Sequence, residues 1–219
     1  MTENVAITPL PEKLARRYHD WHGGRFQEDR ELYRDLVEGG QHPQAMVVSC
    51  CDSRVHSMQI MGGRSGDFFI HRNIANLIPP HNAGAEAWGT GAALEYAVTA
   101  LRVQHIIIMG HSGCGGIEGG YHRCNGTAGR GLEDTHFIGD WLDLLKPAFA
   151  RLDEGNSDAE RIAALEKQAV VISLENLKGY RFIADAVAAG QLSLHGLWHD
   201  IASGKLMTWT PASGSFEEV

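Results

Sequence analysis

The sequence predicts an α/β fold, with a mostly parallel central β-sheet, an antiparallel edge strand, flanking helices and an N-terminal helical arm. Three observations lead there. Residues 45–49 (Ala-Met-Val-Val-Ser) and 105–109 (His-Ile-Ile-Ile-Met) form nearly continuous apolar runs, as expected of strands buried on both faces. Segments with helical apolar spacing alternate with these runs, the pattern of a layered α/β domain. Two closing runs, 192–198 and 206–209, flank Gly204-Lys205, which suits an antiparallel turn.

The elements follow in order. Pro11 precedes Glu12-Lys13-Leu14-Ala15-Arg16-Arg17-Tyr18 and opens a helix, because its missing N–H costs nothing in a first turn. Residues 27–37 place Leu32, Leu36 and Val37 among charges at helical spacing, and Gly39-Gly40 ends this arm. Residues 1–40 are therefore assigned to the arm and 41–219 to one α/β domain. After the strand at 45–49 comes a second at 67–70. Residues 84–101 read as a helix whose apolar faces carry Ala87, Trp88, Ala92, Leu94, Tyr96 and Val98. The strand at 105–109 leads into a glycine-rich loop, 110–120. Residues 135–152 read as helical despite Pro147, and 158–189 as one or two helices.

The bulk numbers narrow the function. The 219 residues are 43% hydrophobic and 21% charged, enough apolar material for a sizeable core. A net charge of -8 argues against nucleic acid as a partner. Residues 1–10 show no basic, apolar leader, and no stretch reaches membrane-spanning length, so a cytoplasmic, membrane-free protein is expected. Four cysteines are too sparse for a disulfide scaffold and suit metal ligation, catalysis or simple packing.

Chemistry concentrates in Cys50-Cys51-Asp52-Ser53-Arg54 and His111-Ser112-Gly113-Cys114. Cys50 and His111 each lie just past the carboxyl end of an inner strand, where open α/β sheets bind ligands. Thiolate and imidazole are zinc's preferred donors, and three protein ligands leave a fourth position for water. Alternate residues of an extended segment project to the same side, so the side chains of Cys50, Asp52 and Arg54 are expected to converge. A bidentate arginine would keep Asp52 ionised and off the metal. The glycines at 110, 113 and 115 miss the dinucleotide-binding spacing, which disfavours a nucleotide loop.

These two motifs resemble the paired signature of the β-carbonic anhydrases. Agreement extends to His71-Arg72-Asn73-Ile74-Ala75-Asn76, to residues 89–98, and to His195-Gly196, Asp200-Ile201 and Gly204-Lys205-Leu206. The resemblance spans residues 27–209. It implies one zinc per chain on Cys50, His111 and Cys114, and reversible hydration of CO2 to bicarbonate and a proton. In that reaction hydroxide at the metal attacks CO2, oriented by the Asp52–Arg54 dyad. Within the plant-type branch it implies a substrate pocket of Gln41, Phe69, Ile74, Tyr96 and Gly115, shared across a homodimer or higher homo-oligomer. Val47 and Ser49 stand where the other branch carries residues of a regulatory bicarbonate site. Cys51 is expected to point away from Cys50 as a packed thiol. Two other readings suit the same residues: a sister hydrolase acting on COS or CS2, and a non-catalytic zinc protein.

Overall fold

The computed structural model describes residues 7–84, 88–127, 131 and 135–219. The chain divides into two compact units, Met1–Gln41 and His42–Val219.

Among its described residues, the first unit holds three helices where the sequence pattern suggests two: α1 (Glu12–Gly23), α2 (Arg25–Glu28) and α3 (Arg30–Gly39). Gly24 and Asp29 interrupt the pattern and split the arm. None of the residues in these helices is buried. Tyr18, Trp21, His22, Phe26 and Tyr33 form a cluster of ring contacts at 5.0–6.2 Å.

The second unit is built on a six-stranded sheet, ordered β2-β1-β3-β4-β5-β6. Its strands are β1 (Ala45–Cys50), β2 (Phe68–Asn73), β3 (His105–His111), β4 (Ser193–His199), β5 (Leu206–Thr210) and β6 (Ser215–Glu218). The first four pair in parallel and the last two antiparallel. The antiparallel end thus has two strands, one more than expected; Ser215-Phe216-Glu217-Glu218 offers only one apolar residue to announce β6. β1 is buried throughout and β3 nearly so, as the apolar runs require.

The helical layer departs from the sequence reading in detail. A helix was expected over 84–101; α5 spans Trp88–Glu95 and the chain continues as one π-helical stretch, Tyr96–Ala100, while Ala87 lies outside the described residues. The expected glycine-rich loop is shorter than 110–120. β3 runs to His111, and α6 (Gly115–Asn125) absorbs the remaining glycines. Residues 137–149 form two short α-helices, α7 (Phe137–Leu142) and α8 (Lys146–Phe149), joined by a 3-10 turn. Pro147 sits in the first turn of α8, where it needs no N–H partner.

The long helix α9 (Asp158–Leu177) starts at Ser157, whose hydroxyl and the Glu160 carboxylate form a reciprocal capping box. It lays Leu165, Ala169, Val170, Leu174 and Leu177 under the sheet. Gly110 makes that approach possible: a Cβ there would meet Val170 Cγ2 at 2.8 Å. α4 (Ser57–Ile60) and α10 (Arg181–Ala188) are the remaining α-helices among the described residues of this unit.

Candidate metal centre

β1 and β3 are neighbours in parallel register, so their carboxyl ends emerge side by side. Cys50 is the last residue of β1 and His111 the last of β3. Gly113 turns the chain at φ 64°, a conformation natural to glycine, and Cys114 caps the start of α6. The three ligand atoms lie within 4.8 Å of one another, and all three residues are buried.

The donor set fits a tetrahedral zinc. Cys50 Sγ and Cys114 Sγ are 3.9 Å apart. Two sulfurs bonded to one tetrahedral ion at ~2.3 Å would stand about 3.8 Å apart. His111 Nδ1 lies 3.0 Å from the Ser112 carbonyl oxygen, which can only accept, so Nδ1 carries the proton. That leaves the Nε2 lone pair, buried and without a hydrogen-bond partner, to face the sulfurs. The two thiols lie within hydrogen-bond reach, and that hydrogen bond holds Cys50 below the usual thiol range and pushes Cys114 above it. Burial lowers the His111 pKa and the Cys50 sulfur raises it; the net shift is upward. Ala75, at φ 62°, donates its N–H to Cys50 Sγ at 3.4 Å, a strained residue serving the cluster.

Asp52 and Arg54 form a bidentate pair: Nε to Oδ1 at 2.9 Å and Nη2 to Oδ2 at 2.7 Å. The Arg54 amide also donates to Oδ1 at 2.9 Å, and Nη2 reaches the Gly113 carbonyl at 2.9 Å, tying both loops together. These hydrogen bonds from Arg54 hold the Asp52 carboxyl well below the usual carboxylate range. The convergence does not come from extended backbone, however. The chain turns after Cys50, with Val55 N–H donating to the Asp52 carbonyl at 3.0 Å. The same turn corrects the reading of Cys51. Strand alternation stops at Cys50, and the Cys51 thiol is exposed rather than packed.

The other expected site residues separate into groups. Gly115 follows Cys114 directly, and Ile74 lies against the first turn of α6, where a Cβ on Gly116 would meet Ile74 Cγ2 at 2.7 Å. Phe69 pairs with Met46 and Asn73 with Cys50, so Phe69 sits four residues back along the sheet, roughly 13 Å from the metal end. Tyr96 contacts Phe69 at 5.8 Å between ring centroids. This pair is not at its own chain's cluster. Gln41 is the last residue of the helical unit and is exposed.

Two contributors lie outside the expected site residues, although Arg72 stands in the stretch 71–76 that carries the resemblance. Glu166, 4% exposed, accepts the Cys114 N–H at 3.2 Å. Burial pushes its pKa up, against the N–H groups of Cys114 and Gly113 and the Trp198 indole. Its one sequence signal is position, since it shares the stripe of Ala169 and Val170 on α9. Arg72 spans the loop after β1, donating to the carbonyls of Cys50, Asp52 and Val55 at 2.7–2.8 Å. Beside them, Ser112 Oγ donates to Asp200 Oδ1 at 2.8 Å and accepts from the Ile201 amide at 2.9 Å.

Comparison with known proteins agrees with this geometry. Residues 45–206 match the family model described as carbonic anhydrase. The chain is 33% identical over 201 residues to beta carbonic anhydrase 3 of Arabidopsis thaliana, covering 90% of this chain and 76% of that protein. Among solved structures, the β-carbonic anhydrase CcaA superposes with a TM-score of 0.86 at 30% identity, covering 95% of this chain and 91% of that one. A chain from the two tetrameric β-carbonic anhydrases of Sordaria macrospora gives 0.76 at 30% identity, covering 90% of this chain and 94% of that one. On the match of family model, sequence and fold, the chain belongs to the β-carbonic anhydrase family.

Proposed function

We propose that this chain is a zinc enzyme that hydrates CO2 reversibly to bicarbonate and a proton. The observation that carries the reading is the Cys50–His111–Cys114 cluster, with an orphaned imidazole nitrogen, beside a carboxylate restrained by arginine. Zinc, when bound, supplies the Lewis acidity that makes water nucleophilic near neutral pH.

The chain's own residues supply the rest. Arg54 occupies both Asp52 oxygens and keeps the carboxylate from becoming a fourth ligand. A carboxylate has about four acceptor sites. With three taken by Arg54, the remaining one accepts a hydrogen bond from the attacking water and orients it. At the start of α6, the Gly116 and Ile117 N–H groups favour the Cys114 thiolate, and the Gly115 N–H is assigned to a product oxygen. Ile74 provides an apolar wall for an uncharged substrate. Phe69 and Tyr96 line the pocket of a second copy, as does Gln41, which makes the functional unit a homo-oligomer. The distance of the Phe69–Tyr96 pair from its own cluster and the tetrameric relatives support this.

Stopped-flow CO2 hydration, with zinc analysis and sedimentation on the same sample, tests the reading. The expected result is one zinc per chain, an assembly of at least two chains, and a rate rising with pH through an apparent pKa above ~7, because two thiolates weaken zinc's pull on water. Asp52→Asn should keep its zinc and lose about 10²-fold in kcat. A zinc-free, inactive parent protein, or Asp52→Asn with parental turnover, would refute it.

A further inference from the structure

We propose that Arg72 is a positioning residue, a clamp that sets the catalytic geometry of the loop after β1 through its main chain. Arg72 lies on β2, opposite Ser49 of β1. Its guanidinium donates from Nε to the Cys50 carbonyl at 2.8 Å and from Nη2 to the Asp52 and Val55 carbonyls, each at 2.7 Å. Three carbonyls within six residues thus converge on one side chain. The neighbouring strand adds a fourth tie, with the Cys51 N–H donating to the Asn73 carbonyl at 2.9 Å.

The loop held this way carries a metal ligand at one end and the Asp52–Arg54 pair in its middle. The Asp52 carbonyl receives both Arg72 and the Val55 amide, so the backbone on which the carboxylate pivots is fixed from two sides. Arg54 sets how the carboxyl group is turned; Arg72 sets where its Cα stands relative to Cys50. A lysine cannot replace this. It offers one ammonium at the tip of a flexible chain, whereas the contacts require a planar fork with donors on two nitrogens. Arg72 makes none of these contacts through a side chain of the loop, so its effect on chemistry runs through position alone.

The proposal rests on the functional reading above, and the test separates the two. Arg72→Lys and Arg72→Ala are made in the full-length chain. In Arg72→Lys, zinc is expected to stay at one per chain while kcat falls about tenfold or more and KM for CO2 changes far less, the signature of a misplaced group. The visible absorption of the cobalt(II)-substituted variant should differ from the parent in band position or intensity. Guanidinium ion at millimolar concentration should restore part of kcat to Arg72→Ala and none to Arg72→Lys, whose site the lysine chain fills. Parental kcat with a parental cobalt spectrum in Arg72→Lys overturns the clamp, as does a fall in kcat that follows zinc loss one for one. If the parent itself hydrates no CO2, the functional reading fails and the cobalt spectra alone decide the role of Arg72.

Discussion

The loop after β1 and the turn after β3 carry the same task, holding a cysteine of the Cys50–His111–Cys114 cluster, yet they are secured in opposite ways. The first presents carbonyl oxygens, and a cation, Arg72, gathers three of them. The second opens a helix and presents N–H groups, and a buried carboxyl, Glu166, receives that of Cys114. Arg54 bridges the two by donating to the Gly113 carbonyl. Backbone polarity at each strand end decides which charge can brace it.

If the ligands differ from their neighbours as described, the largest contrast lies within the cysteines. Cys114→Ser should lose most of its zinc and about 10²-fold or more of its activity, whereas Cys51→Ser should keep both. Metal analysis and assay of the two variants decide this, and zinc retained in Cys114→Ser would remove the turn after β3 from the ligand set.

A smaller effect is expected from the brace on that turn. Glu166→Gln keeps the volume but sets a donor against surrounding N–H groups. Zinc affinity should fall about tenfold, measured by competition with a chelator, while the fold persists. An unchanged affinity would make the brace dispensable and leave the comparison with Arg72 one-sided.

The smallest effect concerns Asp200, which anchors Ser112 to the start of the connection between β4 and β5. Hydrogen bonds from Ser203 and Ser112 bring its pKa down to about 2, below its unfolded value of ~3.9. A depressed carboxyl stabilises the fold above its unfolded pKa, and this contribution disappears as pH falls through the folded value. Asp200→Asn should therefore lower the melting midpoint at pH 7, with the gap to the parent closing between about pH 4 and pH 2. A gap that stays constant over that range would show that the charge of Asp200 contributes nothing.

The grouping of Cys50, His111 and Cys114 was legible in sequence because each ends or follows an apolar run, and runs of that kind locate strand ends. The bracing roles were not, although Arg72 itself stands in a stretch that carries the resemblance. Arg72 acts on carbonyls, which every residue has, and Glu166 looks like any glutamate of a charged helix until the sheet covers it. Cys51 was misread because alternation was extended one residue past the end of β1. The helix expected over 135–152 emerged in pieces since periodicity does not reveal where a 3-10 turn tightens the chain. Phe69 and Tyr96 were named through the resemblance, but neither their contact with each other nor their distance from the Cys50 end was legible, since both depend on strand register and packing.

A clamp that grips the main chain is blind to side chains. Cys51 and Ser53 lie inside the loop Arg72 holds, and neither side chain takes part in its hydrogen bonds. Those two positions are thus free to vary over evolutionary time, or in a mutational library, without loosening the grip. Arg72 itself has no such freedom, and Asp52 and Arg54, which alternate with them, are constrained by their own pair and by the Gly113 contact. The loop should accordingly show an alternating pattern of tolerance, set by a residue roughly twenty positions away in the chain.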